Sequence, residues 1–144
     1  MRIRAAAIII RDRKILTMRY HYGVQDLFNL PGGNLEFGEE MREALERELE
    51  EEIQVKSRVS EEPILLAEVH NEQGDTLHVI FETEIIQGNP ELNPSETTAI
   101  EITWIPVEKI TEVNMYPAVN RHIQLWEAGL LQEPHVGEIE QVWL

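Results

Sequence analysis

The sequence predicts an α/β chain in which a mixed β-sheet lies between helices. Three observations predict it: β-favouring segments fill the N-terminal third, helical periodicity interrupts them once before further strand-like segments, and a second helical pattern lies near the C-terminus. A chain of 144 residues, 42 % of them hydrophobic, suits one globular domain over residues 1–144. No internal repeat, low-complexity segment or interdomain linker interrupts it.

The elements follow in order. Ile3 to Ile10 is rich in isoleucine and alanine, Arg11-Asp12-Arg13-Lys14 supplies a polar turn, and Ile15 to Tyr20 resumes as a strand, which reads as a β-hairpin. His21 to Asp26 reads as a loop and Leu27 to Leu30 as a short strand broken by Pro31-Gly32-Gly33. From Glu39, Met41, Leu45, Leu49 and Ile53 recur every four residues, an apolar stripe on an amphipathic helix. Pro63 to His70 and Thr76 to Ile86 flank the turn-like Asn71-Glu72-Gln73-Gly74-Asp75 as an antiparallel pair. Ala99 to Val107 alternates with Ile100, Ile102 and Trp104 on one face, and Val119, Ile123 and Trp126 have helical spacing that Gly129 can end. Residues 132–144 form a tail that can be a terminal strand or an arm docking on its own domain or on a second subunit of a homodimer, through Val142, Trp143 and Leu144.

Charge narrows the function classes. Twelve basic residues against 27 acidic ones give a formal charge of −15, which argues against wrapping a long nucleic acid. An anionic small molecule still fits where divalent cations mediate the contact. There is no cysteine, hence no disulfide, thiolate metal site or thiol nucleophile. The N-terminal apolar run is short, with no cleavage motif, and no segment is long enough to span a bilayer, so a cytoplasmic protein is expected.

The central helix carries an unusual load: Glu39, Glu40, Glu43, Glu46, Glu48, Glu50, Glu51 and Glu52, offset only by Arg42 and Arg47. On a helical wheel Glu51 lies at about 300° and Glu52 at about 40° from Glu48, so these three share one sector. Glu43, Glu46 and Glu50 point toward a solvated side. Like charges at that spacing cost roughly 0.2–0.5 kcal/mol per pair. Protonation, salt bridges or a cation can relieve them; with few basic residues nearby, a hard divalent cation with oxygen ligands is the natural partner. A glutamate-rich helix by itself is also an ordinary solvated face. Gly32 and Gly33 just upstream permit a sharp turn and a close backbone approach.

Gly33, Glu39, Arg47, Glu48, Leu49, Glu51, Glu52 and Val55 stand in the register Gly, five residues, Glu, seven residues, Arg-Glu, aliphatic, any, Glu-Glu, any, Gly, aliphatic. This resembles the signature box of the Nudix hydrolases, as does the lead-in Leu30-Pro31-Gly32-Gly33 with Gly38 before Glu39. One position departs, with Gln54 where the family has glycine. A glutamine forced into the left-handed conformation costs about 1–2 kcal/mol, so the chain is expected to leave the helix by another route, about one turn later.

The resemblance implies a Nudix-type α/β/α sandwich, a MutT-like fold. It further implies hydrolysis of a nucleoside diphosphate linked to another group, using magnesium or manganese. By carry-over Glu48, Glu51 and Glu52 are metal ligands, with the Gly33 carbonyl as an extra one, while Arg47 and Glu39 orient them. The metal acidifies the attacking water, and a carboxylate takes its proton: Glu52 or Glu48, or a later glutamate, Glu96 or Glu101. Glu101 alternates with Ile100 and Ile102, so it is equally placed as the solvent side of a strand. Arg19 and Arg4 are candidates for a substrate phosphate and Tyr20 for stacking on a base, with Phe28, Gly32 and Gly33 at the cleft. Each also reads as ordinary structure: a strand end, or core packing. His70 and His78 read as partly buried strand residues, Trp104 and Trp126 as core. A nucleoside triphosphate or modified nucleotide is the favoured substrate; the alternative function is an inactive Nudix-fold ligand sensor. No EF-hand loop is present to support a calcium-binding protein.

Overall fold

The structure, a computed structural model, describes residues 1–141. It is a mixed α/β fold built on two sheets. The first has the order β11-β7-β8-β1-β5, formed by His135–Glu138, Leu65–Asn71, Gly74–Gln87, Arg2–Ile8 and Gly32–Asn34, with β6 (Lys56–Val59) on the far half of β8. The second has the order β10-β4-β3-β2, formed by Met115–Tyr116, Gln25–Asn29, Lys14–Tyr22 and Ile10–Arg11, with β9 (Glu101–Pro106) on the other side of β3. β1 and β8 run parallel at the centre, and β7–β8, β3–β4, β3–β9 and β1–β5 are antiparallel. Helix α1 spans Met41–Ile53 and α2 spans Asn120–Glu127.

Side-chain alternation along β1 divides the core. Ala5 and Ala7 face α1 together with Leu45, Leu49, Ile53, Val79 and Phe81. Ala6 and Ile8 face the second sheet and α2, among Ile15, Ile80, Ile105, Val119 and Ile123. The first sheet thus lies between the helices, as the expected sandwich requires. The stripe on α1 is realised by Ala44, Leu45, Leu49 and Ile53, all buried, whereas Met41 at its first turn is 37 % exposed. Burying each larger apolar side chain is worth about 1.5–3 kcal/mol, enough to hold a helix whose outer face is self-repelling.

The N-terminal hairpin closes through Asp12 and Arg13, both at positive φ (50° and 61°), the mirror-image turn that matches strand twist. The expected loop at His21 to Asp26 is instead strand and tight turn, because β3 and β4 stay paired out to Tyr22 and Gln25. β6 was not foreseen. It is a short edge strand whose only apolar residue, Val59, points into the core.

The exit from α1 also corrects the sequence reading. Gln54 does not defer the helix end; it takes the left-handed conformation itself, with φ 59° and ψ 41°. Its strain is offset because its side-chain Nε2 donates to the carbonyls of Glu91 and Leu92 at 3.1 and 3.3 Å. The same loop returns hydrogen bonds from Glu91 N–H to Ile53 O and from Asn93 N–H to Glu52 O.

The tail forms a terminal strand, β11, on its own chain, and continues past it to Gln141. β11 pairs in parallel with β7, and Ile139 is buried. The expected docking of Val142, Trp143 and Leu144 lies outside the described residues. Among the described residues no helix is long and apolar enough to cross a membrane.

Candidate functional site: the carboxylate face of α1

The backbone of β5 sets the floor of the site. Gly33 and Gly32 pair with Ala5 and Ala6 of β1. A β-carbon on Gly32, whose φ is 155°, would lie 2.1 Å from the Ala5 carbonyl oxygen. One on Gly33 would lie 2.5 Å from the Glu48 carboxylate. Glycine is therefore required at both positions, the first for strand packing and the second to seat Glu48 against the backbone.

The eight glutamates separate as the wheel predicts. Glu43, Glu46 and Glu50 are exposed, while Glu48, Glu51 and Glu52 are half-buried. Arg47 gathers the carboxylates around it: Nε and Nη2 donate in a fork to Glu39 at 2.7 and 3.0 Å, and Nη1 donates to Glu48 and Glu51 at 3.1 Å each. Two charge-assisted bonds in one plane fix both orientation and position. The Arg47 bond holds the Glu39 carboxyl below the usual carboxylate range, and Glu39 in turn raises the guanidinium pKa. Salt bridging thus meets more of the repulsion than the scarcity of basic residues suggested, because one helical arginine serves three box glutamates.

Glu52 lies beyond that reach. Its carboxyl is pushed up to about 8, first by burial and then by a hydrogen bond and like charge from Glu48. Glu52 thus holds its proton more tightly than an ordinary carboxyl, beside the Glu48 carboxyl that it is hydrogen-bonded to. The donor set is all oxygen and short of positive charge, which suits a hard cation. Among the described residues, no three histidine or acidic groups are already closed into a ligand cage, so binding requires the carboxylates to turn away from Arg47 or from each other.

The other candidates fall into distinct places. Arg4 is buried in β1, donates from Nη2 to the Leu30 carbonyl at 3.1 Å and lies over the Tyr116 ring at 5.1 Å. Its Nη1 has no hydrogen-bond partner among the described residues. Burial lowers its pKa while Tyr116, Glu52, Tyr20 and Glu48 oppose that shift, which places Arg4 in the field of the site. Tyr20 is there too. Its hydroxyl bonds Thr97 Oγ1 at 3.1 Å, its pKa is raised by burial, and its ring stacks on Tyr22 rather than standing free.

Arg19 is engaged elsewhere, pairing with Asp26 at 3.3 Å and Glu101 at 3.4 Å. Glu101 also accepts from Thr103, and these contacts keep its pKa low. No hydrogen bond or ion pair among the described residues ties it to α1. Glu96 is exposed in the turn at Asn93, adjacent to the Thr97 that holds Tyr20. Phe28 packs against the core shared with α2. Trp126 packs partly buried against the same core, Trp104 partly buried against the core facing α1, and Arg11 covers Trp104 at 5.7 Å.

Two residues outside the sequence-based candidate set stand beside Arg4. Tyr116 meets His78 edge to face at 5.2 Å. His78 is not the partly buried residue expected: it is fully buried, neither ring nitrogen has a hydrogen-bond partner among the described residues, and burial lowers its pKa to about 3. Its position on β8 opposite Arg4, on the face away from Leu77 and Val79, was readable only once the strand register was known. His70, by contrast, is a surface residue bonded to Asp75 and Glu68.

The NUDIX domain family matches residues 1–126. No curated protein matches the chain. Among solved structures, the chain resembles the E. coli ORF135 protein at 25 % identity, with 89 % of each chain covered and a TM-score of 0.70. It also resembles a MutT NUDIX hydrolase from Burkholderia pseudomallei at 22 % identity, covering 74 % of this chain and 84 % of that one with a TM-score of 0.62. An ADP-ribose pyrophosphatase from Streptococcus suis matches at 15 % identity, covering 96 % and 98 % with a TM-score of 0.67. The chain belongs to the Nudix hydrolase family, whose members act on nucleoside diphosphate-linked substrates and generally need a divalent metal.

Proposed function

We propose that this chain is a magnesium- or manganese-dependent pyrophosphohydrolase of a small nucleotide, with Glu48, Glu51, Glu52 and the Gly33 carbonyl as the cation ligands. One observation carries the reading: Glu48 and Glu52 are half-buried and hydrogen-bonded to each other, and among the described residues their one ion pair is the Arg47 bond to Glu48. A structural acidic face would have no reason to bury such a pair.

A divalent cation would supply charge neutralisation on the pyrophosphate and acidify the attacking water. The protein's own groups do the rest. Arg47, fixed by Glu39, orients Glu48 and Glu51. Whichever of Glu48 and Glu52 is less committed to the cation takes the proton from water. Glu101, held low in pKa by Thr103 and Arg19, is a poor base, and Glu96 has only its closeness to Thr97 in its favour. Arg4 has a free donor for a substrate phosphate or for the group attached to it, and Tyr20 borders the same space. The favoured substrate is a nucleoside triphosphate or a modified one. The structural neighbours are named for different substrates, among them ADP-ribose and a UDP-X compound, and so leave that choice to experiment.

The test is a panel of nucleoside triphosphates, ADP-ribose, dinucleoside polyphosphates and nucleotide sugars with magnesium or manganese. Cleavage of none would leave the ligand-sensor alternative. Glu51→Gln should abolish metal-dependent turnover with the fold intact; a parental rate in that variant would overturn the ligand assignment.

A further inference from the structure

The segment after α2 lies beyond the residues that match the family, yet it reaches the bend that carries Tyr116 over Arg4. β11 is anchored on β7 by hydrogen bonds from Leu66 N–H to Pro134 O at 2.8 Å and from Ile139 N–H to Glu68 O at 2.9 Å. Burial of Ile139 adds an apolar anchor. Two residues on, the Gln141 carboxamide uses both its ends on one bend of the backbone. Its Oε1 accepts from Ala118 N–H at 2.8 Å, and its Nε2 donates to Met115 O at 3.1 Å.

Between those two groups stands Tyr116, whose ring packs on Arg4 and His78. The Tyr116 carbonyl accepts from Leu30 N–H at 2.9 Å, and the Leu30 carbonyl accepts from Arg4 Nη2 at 3.1 Å. A continuous path of hydrogen bonds therefore runs from Gln141 through the Met115–Ala118 bend and Leu30 to the guanidinium. An amide bonded at both ends resists rotation of the segment it spans, and each such bond is worth about 1 kcal/mol net.

We propose that Gln141 is a positioning residue of the substrate site: by splinting Met115 to Ala118 it holds Tyr116 against Arg4 and His78 and so fixes the donor that Arg4 presents. The C-terminal strand is then a working part of the site. This rests on the reading of Arg4 as a substrate contact.

Gln141→Ala should raise KM for the best nucleotide about tenfold while kcat and the magnesium dependence change less than about twofold. Gln141→Glu keeps the acceptor for Ala118 N–H and loses the donor to Met115 O, so its KM should lie between the two. In the free protein, amide exchange at both Ala118 and Leu30 should accelerate in Gln141→Ala, with the core strands unchanged. The proposal is overturned if Leu30 exchange and KM both match the parent, or if kcat and thermal stability fall together with no separate effect on KM. Should the parent cleave no nucleotide, the proposed function fails on that result alone, while the exchange measurement still decides whether Gln141 splints the path to Arg4.

Discussion

Arg47 and Arg4 both lie in the field of Glu48, and they are bonded in opposite ways. Arg47, partly exposed on α1, spends three nitrogens on Glu39, Glu48 and Glu51. Among the described residues Arg4, buried in β1, makes one hydrogen bond, to a carbonyl, and its Nη1 has no partner. A satisfied guanidinium is framework. A buried one with an idle donor costs stability, a cost that the proposed substrate contact would offset.

The largest effect that sharpens this contrast should come from Gly33→Ala. Its methyl group must displace the Glu48 carboxylate, undoing what Arg47 aligns, and turnover should fall by about a hundredfold or more. A variant with parental kcat would mean that Glu48 is not held where the chemistry needs it. Arg47→Met comes next. Three carboxylates lose their shared cation, so apparent metal affinity should drop 10- to 100-fold and stability by about 1–3 kcal/mol, read by metal titration and urea unfolding.

Arg4→Met should break the symmetry between the two. It removes an incompletely bonded buried charge, so stability should hold or rise while KM increases about tenfold. Equal destabilisation of the two variants would erase the distinction between framework and idle donor. The smallest effect is a pH dependence. Glu52 binds its proton more tightly folded than unfolded, so its contribution is present below pH 4.5 and is lost as pH rises toward about 8. The cation should therefore raise the melting temperature by a few degrees more at about pH 8.5 than at about pH 6. His70, also raised, gives the same sign without the cation, and Glu52→Gln separates the two because it should flatten only the cation-dependent part.

Much of this was legible in the chain. The box spacing and the helical wheel sorted Glu48, Glu51 and Glu52 from Glu43, Glu46 and Glu50, because α-helical geometry converts sequence distance directly into direction. The hairpin around Asp12, the β7–β8 pair and α2 followed from local pattern in the same way. Less legible were contacts whose partners are distant in sequence. The ion pair of Arg19 with Glu101, which β3 and β9 bring side by side, had no local signal in either segment. Gln54 looked unable to take a left-handed turn until Glu91 and Leu92 arrived to bond its side chain.

The sequence by itself determined the family, the helix with its carboxylate face and the need for glycine before it, since each depends on residues within about two dozen positions of one another. Only the tertiary structure decided how that charge is balanced, that His78 and Tyr116 enclose Arg4, and that Gln141 reaches the same end of the molecule. Those outcomes depend on strand register and on which surfaces bury one another, and burial fixes whether a polar atom keeps water, finds a partner or waits for one.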